Sequence, residues 1–266
     1  MSYRHKHIKP KIRNLKTKKV LFRRPVFWFF LALTTIIVIL YFSLFYFKFQ
    51  INNIEILGNQ KNKSEDIQNI ALEYIHKKIV SIGIFQVWTK SIFITNTGEL
   101  SKKILSKFPV IESVSLQKKF PDSLFINIKE RLPFAVFCNN ENPEKCFFID
   151  VNGIIFEELQ NIPKDMIVLH KDYDGKNNIN KNTMDVISQV EKNLKDNFQI
   201  DIKKVLISDP LVFTTSENWQ IYFDPTLDIN LQITKMDTLL KNEIPINNRK
   251  KLQYIYLQYK DRAYYK

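Results

Sequence analysis

The longest apolar stretch of the chain spans residues 25–47, which include no charged side chain. A helix of this length measures about 34 Å at about 1.5 Å per residue, enough to cross a hydrocarbon core of about 30 Å. Trp28 lies near the start of the stretch, and Tyr41 and Tyr46 lie near its end, where amphipathic rings favour the headgroup level of a bilayer. The pattern predicts a single transmembrane helix over residues 25–47.

Two other interpretations of this stretch fit less well. A cleaved signal peptide has a shorter apolar region and a cleavage site with small residues, whereas this stretch ends in Phe45, Tyr46 and Phe47. A buried core helix rarely continues past about 20 residues without a polar face.

Beyond the apolar stretch, the pattern changes to short alternating runs and two amphipathic segments. The first strand contains a predicted bulge at Asn52-Asn53 and ends at Gly58. Residues 79–95 are apolar but aperiodic and are interpreted as a linker that partly packs down. The predicted order is strand, helix, helix, strand, strand, an α+β module. Its elements are strands near 49–56, 114–116 and 124–128 and helices that begin at Ser64 and near Gly98, the second ending at Pro109.

The region after residue 131 also mixes the two periodicities. A helix is predicted behind Thr183, another is marked by Met236, Leu239 and Leu240, and short β-type runs lie at 205–207, 211–214 and 221–223. These patterns predict a second, sheet-based domain with helices.

The positive charge of the chain is concentrated before the apolar stretch. Residues 1–24 contain ten Lys or Arg and no Asp or Glu, a bias that predicts a cytoplasmic tail and an exported remainder. The net charge of the chain is +13. Beyond the tail lie 30 of its 40 basic residues and all 27 of its acidic residues, so that their charges nearly cancel. The exported part therefore carries only a small net charge, and nucleic-acid binding is not predicted.

Two segments carry recognisable motifs. The first is Ile54-Glu55-Ile56-Leu57-Gly58-Asn59, and the more specific one runs from Lys119-Phe120-Pro121-Asp122-Ser123-Leu124 to Glu130-Arg131-Leu132-Pro133-Phe134-Ala135. These segments resemble the FtsQ/DivIB family of bacterial cell-division proteins. Residues 148–156 and 254–266 are also similar to family segments, although Tyr256 and Gln258 replace the Asp and Arg that are usual there.

The resemblance implies both a layout and a role. It implies a non-enzymatic scaffold of the division septum, held in the inner membrane with a periplasmic C-terminal region. The scaffold would bind FtsB- and FtsL-like bitopic proteins and other divisome components and help control septal peptidoglycan synthesis. The implied layout is a cytoplasmic tail over 1–24, the transmembrane helix over 25–47, a βααββ POTRA domain over 48–131 and a C-terminal mixed β-sheet domain with helices over 132–266.

Five further residues are predicted to have structural roles. Glu130 and Arg131 stand at a strand end before Pro133, where an ion pair or hydrogen bonds to the backbone between the two domains are expected in preference to catalysis. Asp150 and Gly153 are typical of a hairpin turn, in which Asp accepts backbone N–H bonds and Gly takes a positive φ.

Cys138 and Cys146 flank a polar turn between two apolar runs. Strands joined by such a turn would bring the two thiols together, and an oxidising compartment would allow a disulfide. The alternative is two unpaired thiols near a loop.

The sequence contains no motif typical of catalysis, metal binding or cofactor binding. The four His residues do not share metal-ligand spacing, and the five Gly residues form neither a phosphate loop nor a dinucleotide fingerprint. We therefore expect no catalytic site, metal or cofactor.

The C-terminal run of aromatic residues carries the strongest prediction of a binding surface. An unpaired sheet edge recruits a partner strand through main-chain hydrogen bonds, and tyrosines add contact area. The alternative is that the run is the last strand of a core sheet, with Ile255, Leu257 and Tyr259 facing inward. The predicted partner-binding residues are Tyr254, Tyr256, Gln258, Tyr259, Tyr264 and Tyr265.

Two other functions compete with a division scaffold. A POTRA-containing protein of outer-membrane assembly or secretion would carry a large β-barrel, for which 266 residues leave no room. A membrane-anchored envelope hydrolase would need a nucleophile or metal constellation, which the sequence does not display.

Overall fold

The computed structural model describes residues 25–82, 85–139, 145–171 and 178–266. Its first element is helix α1, Pro25–Phe45, which is followed by a single 3₁₀ turn at Phe47–Phe49. No residue of α1 is buried. Among the described residues, α1 is the one helix whose length and composition would allow it to cross a membrane.

Backbone contacts divide the chain into two units. Of the described residues, the first unit contains 25–55, 72–82, 85–96 and 118–124, and the second contains 56–71, 97–117, 125–139, 145–171 and 178–266.

The first unit contains α1 and an antiparallel hairpin of β2, Lys77–Ile82, and β3, Phe85–Thr89. The sequence pattern predicted only a partly packed linker here, and that prediction was wrong. The pairing shifts between Lys78 and Val80. Such a bulge interrupts the alternation by which a strand is recognised, which explains why these strands look aperiodic in the sequence.

A three-stranded sheet in the order β1-β5-β4 accompanies two helices. Ile67 and Ala71 on the first helix and Leu100 and Ile104 on the second are buried at a spacing of four, as the patterns predicted. The order strand, helix, helix, strand, strand is present, with the hairpin inserted between the helices. The elements are β1, Asn53–Leu57; α2, Ser64–Ile75; α3, Thr97–Lys107; β4, Ile111–Lys119; and β5, Ser123–Glu130.

The larger sheet lies in the second unit and has nine described strands. They are β6, Ala135–Asn139; β7, Cys146–Ile149; β8, Ile155–Leu159; β9, Val168–Lys171; β10, Ile202–Leu206; β11, Leu211–Thr215; β12, Gln220–Phe223; β13, Tyr254–Tyr256; and β14, Tyr264–Tyr265. Their spatial order is β14-β13-β12-β11-β10-β9-β6-β7-β8, with parallel pairs at β12/β13, β10/β9 and β6/β9. The accompanying helices are α4, Lys181–Phe198; α5, Ile229–Thr238; and α6, Ile246–Arg249. The sheet is therefore mixed, and the α+β prediction is confirmed.

One face of this sheet forms the main core. The strand register places Phe137, Leu169, Phe213 and Ile221 on a common face, and they share a buried cluster with Ile187 and other residues of α4. Alternate strand residues point to opposite sides, so the other side chains of β11 to β13 are directed away from this core.

Candidate partner-binding surface

The C-terminal strands form one edge of the large sheet. β13 pairs in parallel with β12, and β14 returns antiparallel to β13, with Tyr256 opposite Tyr264 and Ile255 opposite Tyr265. The residues from Tyr254 onward were expected to form one run, whereas the chain leaves β13 after Tyr256 and turns back. The exposed edge is therefore provided by β14.

The backbone of Tyr265 is directed away from β13. Lys266 donates its N–H to the Tyr254 carbonyl at 3.2 Å, and its own carbonyl accepts from the N–H of Gln253 at 2.6 Å. Successive residues of a strand direct their N–H and C=O groups to opposite sides. The Tyr265 N–H and C=O groups therefore point outward, where a further strand could pair with them.

Three tyrosine rings form a cluster beside this edge. The Tyr256 ring lies 4.5 Å from both the Tyr222 and the Tyr254 rings, measured between centroids. Burial within the cluster, together with its two neighbours, raises the pKa of the Tyr256 hydroxyl. A hydrogen bond with the Tyr222 side chain contributes to the same shift.

The segment between β13 and β14 is held by a lysine on α5. The Lys235 ammonium donates to the carbonyl oxygens of Tyr259 at 2.5 Å and of Leu257 at 3.2 Å. Burial lowers the pKa of Lys235, and the Asp261 carboxylate opposes that shift. The segment is thus fixed by a charged donor whose partners are backbone groups.

This segment also carries the remaining predicted residues. Tyr259 was expected on the inward face, but it is 43% exposed, and its ring lies 5.3 Å from that of Tyr264. A pocket of about 100 Å³, lined in part by Leu231, Lys235 and Tyr259, lies beside it. The Gln258 side-chain oxygen is buried and has no hydrogen-bond partner. Such a pocket next to an open edge could accept one side chain of a bound peptide.

Glu130 and Arg131 bond to different parts of the second unit. Both carboxylate oxygens of Glu130 accept the Lys61 N–H at 3.0 Å, and one accepts the Asn62 N–H at 3.1 Å. Arg131 pairs with Asp150 at 2.5 Å, and its Nε donates to the Pro109 carbonyl at 2.9 Å.

Asp150 and Gly153 form a tight turn before β8. Asp150 accepts the N–H groups of Asn152 and Ile154 at 3.0 Å and 2.8 Å. Gly153 has φ +82°, and a Cβ there would lie 2.3 Å from the Ile179 carbonyl oxygen. Only glycine fits both conditions.

Gly58 directly follows a strand, and Pro133 lies between two strands. Gly58 follows β1 with φ +85°, and a Cβ there would lie 2.0 Å from the Ile128 carbonyl oxygen. Pro133 lies in the short connection between β5 and β6.

Cys138 and Cys146 are directly opposite each other on β6 and β7 and are joined by a disulfide, with their Cα atoms 4.3 Å apart. Both side chains are buried. The bond lies within the sheet because β6 and β7 are interior strands.

Two residues of the surface were missed by sequence reasoning. Tyr222 was placed in a β-type run, but its contact with Tyr256 depends on β13 pairing beside β12, which no local pattern reveals. Lys235 looks like any polar residue on a helix. Within the described part of the chain, no group of three His, Cys, Asp or Glu residues is arranged to hold a metal ion.

Comparison with known proteins identifies one part of the chain. Residues 86–131, from β3 to the end of β5, match a family model described as POTRA domain, FtsQ-type. No match to the chain was found among curated proteins. The matched segment and the apolar N-terminal helix fit the FtsQ/DivIB family of bacterial cell-division proteins.

Proposed function

We propose that this chain is a non-enzymatic scaffold of the bacterial division septum. It links early and late division proteins, binds FtsB- and FtsL-type proteins through its exported region, and helps control septal peptidoglycan synthesis. The observation that carries this proposal is the FtsQ-type POTRA match at residues 86–131, downstream of an apolar helix.

The proposal includes a topology and a domain layout. The ten basic residues of positions 1–24 favour a cytoplasmic N-terminus, so that the chain beyond α1 lies in the periplasm. We assign residues 48–131 to the POTRA domain and residues 132–266 to the C-terminal β domain. The protein is anchored in the inner membrane by the single helix and is concentrated at the septum.

The sheet edge at β14 is the proposed contact for the partner strand. Main-chain hydrogen bonds to an exposed edge provide affinity, and neighbouring side-chain pockets provide specificity. The outward-facing backbone of Tyr265 could form the main-chain hydrogen bonds, and the pocket beside Tyr259 could hold a partner side chain. Tyr264 and Tyr265, each 46% exposed, add aromatic area at the same edge.

The test is a pair of substitutions at one position. Tyr265→Pro removes the outward N–H, whereas Tyr265→Ala keeps it and removes only the ring. Proline is tolerated on an edge strand when its missing N–H would face away from the sheet, so both variants should fold. We expect Tyr265→Pro to lose most of the FtsB/FtsL-type pair that co-purifies with the full-length protein, and Tyr265→Ala to retain more of it.

Equal heat-unfolding midpoints for the two variants would show that the comparison reports binding. Undiminished co-purification with Tyr265→Pro would refute strand addition at β14. Equal losses from both variants would assign the contact to the ring instead of the backbone.

A further inference from the structure

The end of α1 is tied to a loop that is distant in sequence. The last carbonyl groups of a helix lack partners within the helix. Here the Ser43 carbonyl accepts the Ser91 hydroxyl at 2.7 Å, and the Leu44 carbonyl accepts the Thr89 hydroxyl at 2.6 Å and the Gln50 amide at 2.7 Å. Thr89 and Ser91 are buried. The segment after β3 is therefore fixed at the level of the last turn of α1.

A row of aromatic rings continues from this junction. We call Tyr46, Phe47, Phe49, Phe93 and Phe120 the aromatic patch. The Tyr46 ring lies 5.0 Å from Phe47 and 5.7 Å from Phe49, Phe49 lies 5.2 Å from Phe93, and Phe93 lies 5.5 Å from Phe120. Three parts of the first unit, the 3₁₀ turn, the segment after β3 and the β4–β5 turn, thus present one surface.

The aromatic patch is exposed despite its apolar character. Phe47 is 66% exposed, Phe93 is 47% exposed and Phe120 is 58% exposed. An apolar surface made of several adjacent large side chains marks an interaction site more often than a solvated face.

The position of the patch just beyond the end of α1 indicates that its partner is the lipid bilayer. The 21 residues of α1 give a helix of about 31 Å, close to the hydrocarbon thickness of about 30 Å. Residues just after Phe45 therefore emerge at the headgroup level, where aromatic rings are favoured. Because Thr89 and Ser91 bond to the last turn of α1, Phe93 is held near the same level.

Charge next to the patch suits a lipid surface. Lys48 lies between Phe47 and Phe49 in the sequence, and it is exposed. Long basic side chains beside apolar groups can reach anionic headgroups while the rings enter the acyl boundary.

We infer that the aromatic patch inserts into the bilayer that α1 spans, in the leaflet where α1 ends. The rings occupy the boundary between headgroups and acyl chains, at a depth of about 5–10 Å. The first unit thereby has a second contact with the membrane besides α1. This inference rests on the membrane anchoring proposed above.

The test measures the depth of the Phe120 position in lipid. The full-length chain has three Trp residues. A background with Trp28→Phe and Trp88→Phe leaves only Trp219, which is fully buried and shielded from lipid quenchers. Phe120→Trp is added to this background, and single chains are reconstituted in nanodiscs of phosphatidylethanolamine and phosphatidylglycerol. A single chain per disc excludes coverage of the patch by a second copy.

Lipids brominated near the headgroup end of the acyl chain should quench the indole introduced by Phe120→Trp more strongly than lipids brominated near the terminal methyl. The background protein should show little quenching by either. Because the substitution replaces one aromatic ring with another, its melting midpoint should match that of the background.

A second substitution separates this inference from the anchoring itself. Ile36 lies near the middle of α1, so the indole introduced by Ile36→Trp should be quenched most strongly by the lipid brominated near the terminal methyl. If Ile36→Trp is quenched and Phe120→Trp is not, the patch faces water or a protein and the inference is overturned. If neither indole is quenched, the membrane anchoring is overturned as well.

Discussion

Glu130 shows how a single carboxylate can stabilise the fold by accepting hydrogen bonds from the backbone. Burial alone would raise its pKa, but hydrogen bonds from the backbone of Asn62, Lys61 and Gln60 together outweigh burial and lower it. Glu130→Gln should destabilise the full-length protein by about 1–2 kcal/mol near neutral pH, because the substitution removes the charge and one of the two acceptor oxygens of a partly exposed group. Heat unfolding in detergent measures the difference.

The pH dependence of this loss has a definite sign. A lowered pKa in the folded state adds stability above the ordinary glutamate pKa, and this stability disappears as the pH falls through the lowered pKa. The wild type should therefore approach Glu130→Gln in acid. Glu157→Gln is the matched control. Among the described residues, the Glu157 carboxylate pairs with the partly exposed Lys61 ammonium, so this substitution should cost less than about 1 kcal/mol. A constant difference at all pH values would contradict this account.

The roles of some residues could be predicted from the sequence, and the roles of others could not. The turn residues Asp150 and Gly153 could be predicted because their conformations depend on immediate neighbours. Tyr222 and Lys235 could not, because their contacts join positions 34 and 24 residues apart in the chain.

Some helix and strand boundaries also follow from nearby residues, whereas others depend on contacts between residues that are distant in the sequence. α2 and α3 are predictable from apolar spacing, and Pro109 accounts for the end of the second helix. The hairpin of β2 and β3 was missed because its bulge breaks the alternation. β13 is shorter than its alternating run suggested because the chain turns back, and Lys235 holds that turn through its carbonyls. The sheet edge at β14, on which the proposed function depends, could therefore be identified only from the structure.

The hairpin of β6 and β7 carries a prediction at this scale. Its disulfide closes a loop across a sequence separation of 8, and a loop of this size is expected to contribute about 2–3 kcal/mol. A Cys138→Ala/Cys146→Ala double variant should lose this amount in the free energy of unfolding. The substitution leaves two small apolar residues in a buried site, so the loss should come mainly from the missing bond.

Reduction of the wild type provides the comparison for the double variant. Wild-type protein unfolded in the presence of a strong reductant should have the same midpoint as the double variant without reductant. Two free thiols counted on the exported protein under non-reducing conditions would rule out the bond in the cell.

For the whole molecule, the order of parts constrains the role. An apolar helix, an FtsQ-type POTRA segment and a large mixed sheet with an open edge follow one another in a single chain. Two of these parts are the proposed binding surfaces: α1 for lipid and β14 for the backbone of a partner strand. A scaffold needs both on one chain, because a partner bound at β14 is then confined to the membrane and meets other membrane proteins at a raised local concentration.

Depletion of the protein from growing cells tests this role as a whole. We expect long filaments without septa, since septal synthesis would lose the scaffold that assembles it. Full-length protein should restore division, Tyr265→Ala should restore it at least in part, and Tyr265→Pro should not, because this variant keeps the anchor and loses the outward N–H. Normal division after depletion would remove the scaffold proposal. Rescue by Tyr265→Pro would keep the division role and exclude β14 as its contact.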